Sequence, residues 1–201
     1  MRINKIMSHA VVTVSAGASS TEAAALMKEY DIRHLPVVDQ DRLVGLVTLS
    51  DVREALFPSM LTHIQVRDLM VSEPITIGPE ALIEEAARII YRRKIGCLPV
   101  VDEGDRLVGI LTVADLLTAL IEFMGFLTSS SRLDVVFPGR PEDLAEACRI
   151  IQQNGGELIG ISLTHFKKNE PTHLFRLRKT DLDPIVSEME AAGFRVVSSL
   201  N

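Results

Sequence analysis

Cysteine is scarce in this 201-residue chain, which carries only Cys97 and Cys148. Their spacing forms no paired pattern, so a disulfide framework is excluded and a reducing compartment is indicated. Long apolar runs are missing too. The most apolar stretch, residues 116–127, is interrupted by Glu122 and is too short to span a bilayer. The opening MRINKIMSHA lacks the apolar core of a secretory leader. A soluble, cytoplasmic protein without a membrane partner is expected. Positive charge is in deficit, 21 Lys and Arg against 27 Asp and Glu, with a net charge of −6 and a pI near 5.4. That balance argues against a broad nucleic-acid surface. The histidines at 9, 34, 63, 165 and 173 form no i, i+4 pair and no carboxylate-flanked set, so no metal site is expected. No serine or cysteine stands in a nucleophile elbow or beside a base, so no catalytic residue and no enzyme are expected.

What is present is a duplication. GLVTLSD at residues 45–51 returns as GILTVAD at residues 109–115. Each copy reads as a strand delivering a Thr-x-x-Asp corner onto a helix start. Unpaired N–H groups and the positive dipole end at such a start can hold an anion. The threonine adds a hydroxyl, and the aspartate adds an acceptor for sugar hydroxyls. A plain capping pair is the structural alternative for Thr48 with Asp51 and for Thr112 with Asp115. The matching context is long. An offset of 63 residues aligns Met7 with Met70, Thr13 with Thr76, Ile32 with Ile95, and the two LPVVD runs at residues 35–39 and 98–102. Gly104 is a single inserted residue. Two half-domains burying apolar faces against each other are implied.

Each half reads strand, helix, strand, strand, helix. In the first, residues 11–14 form a short strand, and a helix follows with Ala23, Leu26, Met27 and Tyr30 on one face. A hairpin then turns at residues 39–41, and a second helix leaves from Ser50 and ends before Pro58. In the second half, Leu82, Ala86, Ile89 and Ile90 share a helical face, and the last helix runs to about Leu127. Arg92, Arg93 and Lys94 close a helix, where cations suit the dipole. Residues 128–131 are a polar linker. Residues 132–201 follow another plan, βαββαβ, the split ferredoxin-like order. Its first helix carries Leu144, Ala147, Cys148 and Ile151 on the buried stripe and stops at residues 154–156. Its second helix buries Leu182, Ile185, Val186 and Met189. The cations Lys167, Lys168, Arg176, Arg178 and Lys179 read as a solvated face.

On these motifs, residues 1–127 resemble a tandem pair of CBS domains, with repeats at about 1–60 and 64–127. Residues 132–201 resemble an ACT domain through GRPEDLAEACRIIQQNGGELIGISL at residues 139–163, although the Pro138-Gly139 pair is separated from Leu144 by Arg140, Pro141, Glu142 and Asp143. The fold class is therefore α/β (α+β), a CBS pair plus a ferredoxin-like ACT domain. That order is similar to the acetoin-utilisation accessory (AcuB-like) family. The resemblance implies a regulatory, non-catalytic sensor that binds adenine nucleotide at two pseudo-symmetric sites. One would join Thr112, Ala114 and Asp115 with Ile32, Arg33 and His34. The other would join Thr48, Ser50 and Asp51 with Ile95, Gly96 and Cys97, while Ser15 and Gly78 contact the base. Two alternatives are a small amino acid or related acid bound near residues 138–143, with Gly139 and Arg140, and catalysis in the cleft. A homodimer is expected from Phe123, Phe126, Leu127 and an open sheet face, and a regulated enzyme or other protein is the expected listener.

Overall fold

The 63-residue repeat is reproduced in the backbone down to its irregularities. The structure, a computed structural model, describes residues 1–56, 64–124, 130–164 and 171–200, without the Leu56 side chain. The first repeat runs β1 (Val14–Ser15), α1 (Ser20–Glu29), β2 (His34–Asp39), β3 (Arg42–Thr48) and α2 (Leu49–Leu56). Ser19 caps α1 by accepting the Glu22 N–H at 3.1 Å. The β2–β3 connection has two residues, Gln40 and Asp41, at φ 46° and 67°. Two left-handed residues in a row give the turn that matches the natural twist of paired strands. The second repeat runs α3 (Val66–Leu69), α4 (Ile83–Arg93), β4 (Cys97–Val101), β5 (Leu107–Thr112) and α5 (Val113–Phe123). Its hairpin absorbs the extra Gly104 because one Asp102 carboxylate oxygen accepts from both Gly104 (2.9 Å) and Arg106 (3.0 Å). Both hairpins carry a bulge at the same place, between Val37 and Val38 and between Val100 and Val101. The parallel strand β1, with Val14 opposite Val37, returns as a single bridge from Ile77 to Val100.

Local differences from the expected elements have simple causes. The strand expected at residues 11–14 is only Val14 and Ser15, because the preceding residues turn away to other work. Tyr30 is the C-cap of α1 and Leu82 the N-cap of α4, and each is 52% exposed. Ala23 and Met27, with Ala86 and Ile90, keep the buried faces. Phe126, Leu127, Thr128 and Ser129 lie outside the described residues, while Ser130 and Ser131, expected in the linker, open a strand.

The lead-in segments cross over. Ile3 and Met7 are buried in the core of the second repeat, with Ala86, Ile90, Leu98 and Leu111. Val66 is buried in the core of the first, with Ala23, Met27, Leu35 and Val47. Two backbone bonds at 3.0 Å tie Ser8 to Ile110, and two at 3.0 and 2.9 Å tie Leu46 to Val71. This crossing explains the glycine that opens each repeated motif. A Cβ on Gly109 would stand 2.5 Å from the Met7 sulfur, and one on Gly45 would run into the Met70 sulfur. Each lead-in methionine therefore lies flat on the other repeat's strand, which only a residue without Cβ permits. The two hairpin turns also meet: Leu107 N–H donates to the Asp41 carbonyl at 3.0 Å, and Arg42 pairs with Asp105 at 3.0 Å.

Cα packing divides the chain within α5 into Met1–Ala119 and Leu120–Asn201. The second unit holds β6 (Ser130–Val136), α6 (Asp143–Gln153), β7 (Leu158–Thr164), β8 (Thr172–Arg178), α7 (Asp183–Ala191) and β9 (Arg195–Leu200). Its sheet has the order β7-β8-β6-β9 with every neighbouring pair antiparallel. This is the expected βαββαβ arrangement. Leu133, Val135, Phe175 and Leu177 pack on Ala147, Ile150, Ile151, Ile185 and Met189. Leu144 does not join that core and is 46% exposed. Asp143 is buried in its place.

Candidate functional site

Each corner is a closed capping pair. Asp51 Oδ2 accepts from the Thr48 N–H (2.9 Å) and hydroxyl (2.6 Å), and Thr48 Oγ1 lies 3.4 Å from the Asp51 N–H. At the second corner the corresponding distances are 2.7, 2.7 and 3.3 Å. The bland reading of the motif is thus part of the structure: the pair organises a helix start. The first helical N–H groups are also engaged, Leu49 donating to the Arg33 carbonyl (2.9 Å) and Val113 to that of Gly96 (3.1 Å). Each helix start is thereby tied to the residues just ahead of its hairpin. One Oδ2 atom serves both bonds of each corner, and the capping uses no second carboxylate oxygen.

The Thr112 corner opens onto a cavity of about 560 Å³. Thr112, Ala114 and Asp115 line it from the second repeat, and Ile32, Arg33 and His34 line it from the first. All six members of the first expected set therefore share one wall-to-wall space, of a size suited to a small organic ligand. Val11, Val12, Ile110 and Val113 supply apolar surface, and Asp31 adds a second carboxylate to that of Asp115. Against these stand Arg33 and His34. Burial, and next the Arg33 guanidinium, hold the His34 imidazole below its ordinary range.

The other expected residues are arranged differently. Gly96, assigned to the Thr48 corner, lines the Thr112 cavity, with the His34 ring against it. Cys97 lies opposite Thr112 in the β4–β5 ladder and is 2% exposed. Burial pushes its thiol up to about 12, so it carries no charge at neutral pH. Ile95 packs against the core of the second repeat. Ser50 is exposed at the start of α2 beside Thr48 and Asp51. Ser15 and Gly78 are exposed, their carbonyls accepting from Ala18 and Ala81 (both 3.2 Å), and neither lines the cavity.

Reasoning from the sequence missed Ser8, Ala10, Val11 and Val12, which the crossed lead-in carries to the cavity. The sequence held no signal for this, because Met7 and Met70 are equivalent partners for the bare backbone of Gly109.

In the second unit, Gly139 and Arg140 are brought together, but around a group of the chain itself. Asp143 Oδ2 accepts both their N–H groups at 2.8 Å, and Oδ1 accepts Arg140 Nε at 2.6 Å. Burial alone would raise this carboxyl, yet the bonds from Arg140 and Gly139 outweigh it and hold Asp143 below the usual range. The turn's anion-holding donors are thus engaged by a built-in carboxylate. Of the cations read as a solvated face, Arg178 pairs with Glu157 at 2.9 Å and Arg176 donates to Ser130 Oγ at 2.6 Å, while Lys167 and Lys168 lie outside the described residues. Among the described residues no cluster could hold a metal ion, and no helix is long and apolar enough to cross a membrane.

Comparison with known proteins gives this geometry a family. The CBS domain family matches residues 3–58 and 66–122. Inosine-5'-monophosphate dehydrogenase of Korarchaeum cryptofilum is 46% identical over 105 residues, 52% of this chain and 21% of the enzyme. The chain spans 21%, 24% and 30% of the length of three curated relatives that it matches. A Vibrio cholerae protein named for acetoin utilization (AcuB) superposes with a TM-score of 0.57 at 32% identity, covering 63% of this chain and 95% of that one. CBSX2, an Arabidopsis thaliana protein solved in complex with AMP, superposes with a TM-score of 0.56 at 29% identity, covering 61% and 98%. With its doubled corner, crossed lead-ins and matched repeats, this chain belongs to the CBS domain family.

Proposed function

We propose that the chain is a non-catalytic regulatory sensor that binds an adenine nucleotide or related adenosyl ligand at the Thr112 corner. The observation that carries this reading is the single cavity gathering Thr112, Ala114 and Asp115 with Ile32, Arg33 and His34. Asp115 would accept from the ribose hydroxyls, Val11, Val12 and Val113 would clasp the base, and Arg33 would meet phosphate. The AMP complex of CBSX2 supports the ligand class, and the pseudo-symmetric Thr48 corner is the second candidate site. Binding would act by favouring one arrangement of the two repeats, since equal affinity for both shifts nothing.

The finer assignment is to the cytoplasmic acetoin-utilisation accessory group, with residues 132–201 as an ACT-like domain. The V. cholerae neighbour and the βαββαβ order support it. A homodimer is supported by Leu117 and Leu120, each about half exposed on α5, and by Phe123 at its end, which is 83% exposed. Its test is the mass in light scattering, where a monomer at micromolar concentration rules it out. A regulated enzyme or other protein would read the assembly.

The functional test is a thermal-shift titration with AMP, ATP and an adenosyl sulfonium. A bound ligand at a hundredfold excess over its Kd adds about 2.7 kcal/mol. No shift with any of them rejects the reading, and turnover of the nucleotide would point to an enzyme.

A further inference from the structure

The Thr112 cavity is lined by an imidazole, that of His34, which lies where the two repeats meet. His34 begins β2 opposite Thr48, and its ring rests on Gly96 of the other repeat. A Cβ at position 96 would stand 2.5 Å from Nε2 and 2.8 Å from Cε1, so the missing side chain is what admits the imidazole. The Gly96 carbonyl in turn accepts the first N–H of α5. Imidazole, helix start and Thr-x-x-Asp corner form one connected cluster.

The charged and titratable groups around this ring come from each neighbouring element. Arg33 precedes it in the chain, and Asp31 lines the same cavity. Asp115 on α5 and Asp51 on α2 each have Oδ2 tied to their own threonine. Cys97 is a neutral thiol, and His9 on the lead-in segment lies 3.2 Å from the Asn4 carbonyl. In the ligand-free cavity, burial and Arg33 both disfavour imidazolium. A phosphate held beside Arg33 reverses that balance, because an anion next to a histidine favours its charged form.

We propose that a phosphate-bearing nucleotide enters this cavity together with a proton taken up by His34, so that the site reads nucleotide and pH jointly. The proposal rests on the nucleotide reading above. Proton uptake on binding means that affinity for the phosphate-bearing ligand falls as pH rises through neutrality. Adenosine brings no phosphate and takes up no proton.

The experiment is calorimetric titration of the full chain with AMP and with adenosine, between pH 6 and pH 8, in two buffers of different ionisation heat. Wild-type protein should take up a proton with AMP and not with adenosine. Its AMP affinity, taken relative to His34→Gln, should drop about tenfold across that range. The second ionisation of the phosphate, near pH 6, works the other way but is common to both proteins, so their difference isolates the imidazole. Gly96→Ala, which retains His34 but displaces its ring, should also diminish the uptake. Equal proton uptake by wild type and His34→Gln overturns the coupling while leaving nucleotide binding intact. Failure of AMP to bind at all overturns both.

Discussion

The two repeats share their hydrogen bonds and differ in their charges. Corners, bulges and glycines under methionine are duplicated with little change. Asp31 and Lys94 occupy equivalent left-handed positions, at φ 51° and 55°, with opposite charge. Arg33 and His34 stand where the second repeat has Gly96 and Cys97. The corner that the backbone needs is held in both copies, and Asp31, Arg33 and His34, where the copies have diverged, give the cavity its charge.

The largest effect should come from the shared part. Gly45→Val and Gly109→Val each force a side chain into a methionine, and overpacking of this kind costs about 1–3 kcal/mol. Urea unfolding should show similar losses for both, and a large loss at only one would break the equivalence of the crossed lead-ins. Asp51→Ala and Asp115→Ala should each remove a cap worth about 1 kcal/mol. The double variant should in addition abolish the nucleotide-induced thermal shift while remaining folded, so normal binding by it would misplace the site.

Sharper discrimination comes from Arg33, which only one repeat possesses. Arg33→Ala should weaken AMP about tenfold and adenosine hardly at all, the loss of one charge-assisted contact. Equal loss with both ligands would make Arg33 a residue of the fold.

The smallest effect is on stability against pH. Burial, first among the causes, holds His34 and His173 below 6.5 in the folded chain, while an unfolded histidine titrates near that value. As pH falls through 6.5 the unfolded chain therefore binds more protons, and stability must drop with it. Urea midpoints from pH 7 to pH 5 should decline, and His34→Gln should remove only the share belonging to the first unit.

The 63-residue offset made most of the first unit legible, because a doubled pattern constrains strand, turn and helix together. The Thr112 set was legible for the same reason. What the sequence concealed was which repeat each lead-in completes. Met7 and Met70 stand in equivalent positions, and so do Gly45 and Gly109, so the pattern is the same whether a segment packs at home or across, and only the contacts in the folded chain distinguish the two. That ambiguity also hid Ser8, Ala10, Val11 and Val12. In the second unit, apolar spacing nominated Leu144 for the core, but the bonds that Asp143 makes to Gly139 and Arg140 set how α6 begins and turn Leu144 outward. Periodicity reports apolar faces and is silent about a buried carboxylate.

Crossed lead-ins have a consequence for how such a chain can be divided. A single repeat expressed alone would keep a socket without its plug, the site that takes Val66, and a plug without its socket, the segment of Ile3 and Met7. Two copies of one repeat could satisfy each other by trading plugs, as domain-swapped dimers do. The tandem chain is that trade threaded on one polypeptide, so neither half is a module that can be removed and leave the other whole.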